Sequence, residues 1–258
     1  MRSNFLVSAC STLLALSIQI GCQASTFEGQ PRSLGDGTVR TYVELDDNGS
    51  PTEVGVILSG DALSNLPDHA EEYLLQLPPE ASTTAITHIG LDWRSHGHAP
   101  DEIYHLPHFD VHAYVISPQE REAITATGAN LETVYATPAP ELIPAGYVLA
   151  PESAEPRQGA HWIDPTADEF HGVPHGFNHT MIYGFYNGEM AFVEPMVTID
   201  FLQSQQEFEG AIALPARYAR PGAYPTAYRI TYNEATGEHV IALTDFTRSA
   251  PISQPPNH

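Results

Sequence analysis

The chain has 258 residues, of which 42% are hydrophobic, and its 32 acidic residues outnumber ten arginines, with no lysine, to give a formal net charge of −22. A surface this acidic repels phosphate backbones and anionic lipid heads, which argues against nucleic acid as a partner and favours a small molecule or a metal ion. After the N-terminal leader, no segment has the roughly 18 apolar residues that a membrane-spanning helix needs.

The first 24 residues are typical of an export signal, because a positive start, a moderately apolar run and small residues follow in that order. Residues 20–22 (IGC) resemble a lipobox, and residues 22–24 (CQA) resemble a cleavage site. A lipid anchor at Cys22 and removal of the leader therefore both stay open. Cys10 and Cys22 are the only cysteines, so the mature protein has no disulfide and no thiolate ligand. We expect export to the periplasm, the cell surface or the medium.

Hairpins dominate the predicted elements. In each, two runs rich in β-branched and aromatic residues flank a turn that contains Asn and Gly. A further strand is predicted over residues 86–93, and residues 64–79 fit either a strand or a helix end. The predicted pairs are 38–44 with 52–59, 180–186 with 189–198, and 226–232 with 238–244.

Irregular segments and one helix connect these strands. Residues 95–107 contain Gly and Pro and predict a loop. A capping box at residues 117–120 (SPQE) predicts a helix over 118–127, which Gly128 ends. Residues 137–156 predict a long connection that either covers a site as a lid or wraps the core.

The elements together predict the fold class and the domain bounds. We expect a mainly β fold, an antiparallel barrel or sandwich with a few short helices, although an α+β fold stays open. Residues 38–248 form a single β-rich domain in this prediction, and residues 249–258 form a loose tail.

The chemistry of the chain concentrates in residues 88–114, which contain six of the thirteen histidines. Residues 108–114 (HFDVHAY) alternate in polarity, so on a strand His108, Asp110 and His112 share one face. Two imidazoles and a carboxylate in a row are the donors that a divalent metal binds. An ordinary half-buried strand with a wet polar face fits the same alternation.

The best candidate metal ligands are His98, His108 and His112, with Asp110 or Glu194 as a fourth. Asp110 can instead orient an imidazole as its hydrogen-bond acceptor, and Glu194 can form an ordinary salt bridge. Nitrogen and oxygen donors favour zinc, and copper, iron or nickel fit the same set.

Two functions besides metal storage or sensing stay open. A homo-oligomer is also possible from the sequence. In a mononuclear hydrolase or lyase, the metal lowers the pKa of a bound water to about 7. Glu194 or Glu102 then serves as base, and Tyr104 donates to a developing oxyanion. In a non-metal binding or assembly module, aromatic residues line a pocket, although such residues more often form a core, and a second set of histidines is pH-responsive or simply solvated. These aromatics are Trp93, Tyr104, Trp162, Tyr183 and Phe185, and these histidines are His161, His171, His175 and His179.

Several short motifs resemble an uncharacterised bacterial domain family typified by a Thermus hypothetical protein. The resemblance covers most of the chain from about residue 40 to 202, and it implies one compact domain with a His-centred site but no reaction. This chain departs from the family at Ala113, where an aromatic residue is common. The motifs are residues 97–100 (GHAP), Tyr104, 107–110 (PHFD), 112–114 (HAY), 161–164 (HWID), 183–188 (YGFYNG) and 192–196 (FVEPM).

Overall fold

The computed structural model describes residues 24–172 and 176–249. The predicted leader except Ala24, with Cys22, therefore lies outside the described residues, as do His175 and all of the predicted tail except Ser249. The strands are β1 (Ser25–Glu28), β2 (Arg32–Leu34), β3 (Gly37–Leu45), β4 (Pro51–Leu58), β5 (Glu71–Gln76), β6 (His88–Arg94), β7 (His108–Tyr114), β8 (Val148–Leu149), β9 (Ala160–Ile163), β10 (His179–Tyr186), β11 (Glu189–Thr198), β12 (Phe208–Ala211), β13 (Ala223–Tyr224), β14 (Ala227–Asn233), β15 (Glu238–Thr244) and β16 (Thr247–Arg248).

Helices are short and lie in the connections. None of those described has the length and apolar character that a membrane crossing requires. The α-helices are α1 (Asp101–Tyr104), α2 (Pro118–Glu122), α3 (Asn130–Val134) and α4 (Ile199–Gln203), and 3-10 turns occur at Pro79–Thr83, Pro140–Leu142 and Asp168–Phe170.

Most strands belong to two antiparallel sheets. The first sheet has the order β1-β3-β4-β15-β14-β12, with β2 also paired to β3, and the second has the order β5-β6-β7-β11-β10-β9-β8. All three predicted hairpins are confirmed, because β3–β4, β10–β11 and β14–β15 pair antiparallel. The predicted mainly β fold is therefore confirmed as a sandwich, and over the described residues neither sheet closes into a barrel.

The main core fills the space between the two sheets. Phe109, Val111 and Ala113 of β7 lie in the same buried cluster as Val56 and Leu58 of β4. Full burial of such a side chain stabilises the fold by about 1.5–3 kcal/mol. Because side chains alternate along a strand, this packing directs the other residues of β7 to the opposite, outward face of the second sheet.

The outward face of the second sheet is covered instead of wet. All seven residues of β7 are buried, because two small apolar clusters close over the sheet. One cluster contains Tyr104, Phe177 and Met196, and the other contains Tyr114 and Phe192. The alternative interpretation, an ordinary half-buried strand with a wet polar face, is therefore wrong.

Three connections differ from their predictions. The capping box is present, since Ser117 Oγ accepts from Glu120 N at 3.2 Å, but α2 ends at Glu122. The chain cannot continue as a helix to residue 127 because Ala126 has φ +49°. The predicted loop at 95–107 contains α1, and the connection at 137–156 contains β8, which pairs with β9. The uncertain segment 64–79 contains strand β5.

Candidate metal centre

The polar face is built around β7 by its neighbours in the second sheet. In the register of β6 and β7, Asp92 lies opposite Asp110 and Arg94 lies opposite His108. On the other side, β11 pairs with β7 and brings the carboxylate of Glu194 beside His112. Side chains from three strands therefore meet on one buried face.

An outer group consists of His98, His108 and Asp110, with one donor atom from each lying within 4.8 Å of the others. His108 Nε2 is 2.9 Å from Asp110 Oδ1, and His98 Nε2 is 3.7 Å from Asp110 Oδ2. His98 reaches the sheet because Gly97 has φ +68° and packs against the Tyr104 carbonyl, where a Cβ would collide. The His98 side chain is 32% exposed, so this group opens to solvent.

An inner group consists of His112, His161 and Glu194, whose donor atoms also lie within 4.8 Å of one another. His112 Nε2 is 3.2 Å from Glu194 Oε1, and His161 Nε2 is 3.9 Å from Glu194 Oε2. His112 and Glu194 are 1% and 2% exposed. Each group thus offers two imidazoles and one carboxylate, and the inner one is almost fully enclosed.

Backbone carbonyls fix the orientation of three of the four imidazoles. A carbonyl oxygen only accepts a hydrogen bond, so Nδ1 carries a proton and Nε2 of the neutral ring keeps its lone pair. Metal-binding histidines are commonly held in this way, by a hydrogen bond from the nitrogen that does not ligate. The pairs are His98 Nδ1 with Ala99 O at 2.8 Å, His108 Nδ1 with Leu106 O at 2.6 Å, and His161 Nδ1 with Ser153 O at 2.8 Å.

Asp92 supports the fourth imidazole and links the two groups. Its Oδ2 lies 3.7 Å from His112 Nδ1 and accepts from Gln158 Nε2 at 3.2 Å. Arg94 donates to Asp92 at 3.0 Å and to Asp110 at 2.8 Å. A carboxylate beside Nδ1 favours the tautomer of His112 that turns a lone pair on Nε2 toward Glu194.

With the imidazoles neutral and the carboxylates ionised, both groups contain buried polar atoms that have no hydrogen-bond partner among the described residues. Leaving one such atom unpaired costs about 1–3 kcal/mol. A cation bound by these atoms would remove that cost, because its coordination bonds replace the missing hydrogen bonds. The atoms are His108 Nε2, Asp110 Oδ1, both ring nitrogens of His112, and Glu194 Oε2.

Burial and neighbouring charges shift the pKa values of the site residues, and they do so in different directions for different residues. Burial lowers the pKa of His112 to about 3. Burial raises the pKa of Glu194 well above its usual value, and the carboxylates of Asp110 and Asp92 raise it further. Burial opposes ionisation of Asp110 as well, but the imidazoles of His108 and His98 outweigh it and hold that pKa well below its usual value. In the metal-free protein, Glu194 therefore favours its protonated form.

The structure separates the five ligands predicted from the sequence. Three of them form the outer group, and the other two meet in the inner group with a residue that sequence analysis did not propose as a ligand, His161. Its one signal is the alternation of residues 160–163 (AHWI), which places His161 on the opposite face from Trp162. That metal ions bind these residues stays a prediction.

The remaining candidates lie beside the groups or elsewhere. Tyr104 Oη is 3.5 Å from Glu169 Oε1, and the Tyr104 ring centroid is 5.5 Å from that of His98. Glu102 is exposed on α1. His179 lies near Tyr228, with Nδ1 2.8 Å from its hydroxyl, so it does not share a cluster with His161. Of the aromatics proposed to line a pocket, four instead pack in the main core, namely Trp93, Trp162, Tyr183 and Phe185.

Among the comparisons with known proteins, a family model matches part of the chain. No curated protein and no solved structure matches the chain. Residues 46–93 match a family model described as "TTHB210-like: Hypothetical protein TTHB210". The match runs from the turn before β4 to the penultimate residue of β6, so it includes Asp92 but ends before the other site residues. The predicted resemblance to the family typified by a Thermus hypothetical protein is thereby confirmed over this segment.

Proposed function

We propose that the protein binds a divalent transition-metal cation through the inner group. The observation that carries the proposal is the burial of His112 and Glu194, because His112 Nε2 and Glu194 Oε2 have no hydrogen-bond partner among the described residues. Protein interiors pair nearly all buried polar groups, so an exception of this kind calls for a ligand or another role. Two imidazoles and a carboxylate are a ligand set used by zinc enzymes.

The charges on this face support a cation of charge two. Asp92, Asp110 and Glu194 carry three negative charges when ionised, and the Arg94 guanidinium offsets one of them. Two uncompensated negative charges in a buried site are costly. One divalent cation offsets both and also favours the ionised form of Glu194.

The donors favour a d-block metal over calcium or magnesium, which prefer an all-oxygen shell. Zinc is our first choice because it binds two imidazoles and a carboxylate in tetrahedral sites with one position left open. Iron(II) suits the same two-histidine, one-carboxylate set.

A second candidate function is a hydrolase or lyase built on the metal. It is supported by the three-ligand set, because catalytic zinc sites keep an open position whereas structural sites are closed by four protein ligands. The metal would supply Lewis-acid polarisation or an acidified water. In this scheme Tyr104 donates a hydrogen bond to the substrate and Glu194 acts as a ligand rather than as the base.

Export and the non-metal alternative complete the proposal. The leader sequence supports a location outside the cytoplasm, with Cys22 either lipidated or removed. Cell fractionation together with labelled fatty acid would test both outcomes. A secreted binding or assembly module remains the alternative if the purified protein holds no metal.

The proposal is tested by zinc titration of the untagged mature protein against a competing chelator, together with elemental analysis. Glu194→Gln keeps the side-chain shape but removes the charge, and His161→Gln changes a less buried ligand. We expect each to weaken the tightest zinc binding by about 100-fold or more, because each removes a ligand. His239→Gln is the matched control, since His239 is buried in the first sheet, away from both groups.

Tight zinc binding that survives in both ligand variants would overturn the proposal. Circular dichroism of each variant checks that the fold is retained. Ester hydrolysis or hydration that rises with zinc content would then support the enzyme, and full zinc binding without turnover would leave a metal-binding protein.

A further inference from the structure

We propose that the outer group is a second, weaker divalent-cation site, so that this one strand face takes two cations. The inference deepens the proposed function and rests on it, because a cation in the inner group sets the charge that the second one meets. The two groups share no donor atom, so each can be removed without deleting a ligand of the other.

The two imidazoles of the outer group are oriented by the backbone so that both face Asp110. Hydrogen bonds from Nδ1 to backbone carbonyls leave the Nε2 atoms of neutral His98 and His108 as acceptors. Both of these Nε2 atoms face the carboxylate of Asp110. Lone pairs facing an ionised carboxylate repel it unless a proton or a cation lies between them. The outer group therefore needs a positive charge at its centre.

Either protons or a metal ion could supply the positive charge between the imidazoles and Asp110, and the geometry favours the metal ion. Arg94 Nε already donates to Asp110 Oδ2 at 2.8 Å. If His98 and His108 were both protonated as well, the proton on His98 Nε2 would make no hydrogen bond to Asp110 Oδ2, because the two atoms are 3.7 Å apart. One divalent cation instead satisfies both lone pairs and the unpaired Asp110 Oδ1 at the same time.

The outer group lies close to the inner group and is more exposed to solvent, and both features weaken cation binding there. Asp110 and His112 are two residues apart on β7, so the groups are separated by only about 6.5 Å along the strand. Cations in both groups would repel each other, and Arg94 adds a further positive charge beside Asp110. The side chains of His98 and Arg94 are 32% and 27% exposed. The outer cation is therefore the weaker and more rapidly exchanged of the two.

The experiment is a zinc titration of the untagged mature protein, with stoichiometry measured at each step. Wild type is expected to bind two equivalents, the second at least about 10-fold more weakly than the first. His98→Gln should remove only the second equivalent, and its position in a partly exposed loop limits any cost to folding. Asp110→Asn should do the same. His105→Gln, an exposed histidine of the same connection, is the matched control and should keep both equivalents.

The two proposals fail in different ways. A wild type that binds one equivalent, which His161→Gln abolishes and His98→Gln leaves intact, overturns the second site while the proposed function stands. Two equivalents in His98→Gln and Asp110→Asn also overturn it. A wild type that binds no zinc removes both proposals. The loss of one equivalent in His98→Gln but not in His105→Gln supports the second site.

Discussion

The outward faces of the two sheets differ in how their charged side chains are paired and exposed. On the first sheet, Arg229 donates to both carboxylate oxygens of Glu53, at 3.0 and 2.6 Å, and Tyr42 donates to the same carboxylate at 2.7 Å. Arg40 pairs with Glu238 at 2.8 Å. The Arg229 and Glu53 side chains remain 26% and 17% exposed. Charge on this face is paired and still reached by water.

On the second sheet, the outward face is buried and its charges are not balanced. Both ring nitrogens of His112 and Oε2 of Glu194 lack hydrogen-bond partners among the described residues. The comparison shows that a polar strand face alone does not indicate a site. What distinguishes the second sheet is a cluster of ionisable groups buried without pairing, since natural proteins retain such a cost mainly where a site needs it.

The largest expected effect is the loss of stability when metal is removed. At a free zinc concentration 1,000 times the dissociation constant, binding contributes about 4 kcal/mol. For a chain of this size, a chelator should therefore lower Tm by about 8–16 °C. Differential scanning calorimetry, with and without chelator, measures this shift.

The first sheet provides the control for this measurement. Glu53→Gln should lower Tm somewhat but leave the chelator-induced shift unchanged, because Glu53 pairs with Arg229 away from the site. Glu194→Gln should abolish most of the shift. If the Tm of the wild type did not respond to chelator, the buried face of the second sheet would not differ from the first sheet in binding a cation.

The sequence predicted the row on β7 but not the two groups. Alternation alone places His108, Asp110 and His112 on one face, because Phe109 and Val111 must enter the core. The partners of this row come from β9 and β11 and from the loop after β6, and no local pattern encodes those long-range contacts. His161 was missed as a ligand for this reason.

Local chemistry also set the limits of the secondary-structure predictions. The three hairpins were predicted because Asn-Gly and similar turns are local signals. The length of α2 was not predicted correctly. Ala126 has a left-handed conformation with φ +49°, and such a position is recognised from sequence mainly when it is a glycine. The burial of the outward face depends on segments far along the chain, such as the one containing Phe177.

A smaller effect, of opposite sign on the two sheets, is expected when a carboxylate is replaced by an apolar side chain in metal-free protein. Glu194→Met should raise the free energy of unfolding by about 1–2 kcal/mol, because it removes a buried group that is costly to ionise. Glu53→Met should lower it by about 1 kcal/mol, because Arg229 and Tyr42 lose their shared acceptor. Urea unfolding in excess chelator measures both.

Glu194→Met should also lose the tight zinc site, so stability and metal binding would change in opposite directions. A metal-free Glu194→Met protein that is less stable than wild type would show that Glu194 stabilises the fold without a cation. The carboxylate would then belong with the paired charges of the first sheet.

The smallest effect concerns His179, a half-buried histidine that has no carboxylate partner among the described residues. The His179 ring packs against Phe208, with centroids 4.1 Å apart, and burial lowers its pKa to about 4. A depressed pKa contributes stability above the unfolded value of about 6.5, and that contribution is lost as pH falls toward the folded value. At pH 5.5 the loss is about 1 kcal/mol.

His179→Gln should therefore lose about 1 kcal/mol less stability than wild type between pH 7.5 and 5.5, measured by urea unfolding in excess chelator. Burial likewise lowers the pKa of His88 to about 4, so the variant keeps part of the acid sensitivity. If the variant and the wild type lost the same stability between these two pH values, His179 would already be accessible to protons in the folded state. Because His179 contacts neither group, the same substitution should leave zinc stoichiometry untouched, which separates histidines that only pack from those proposed to ligate.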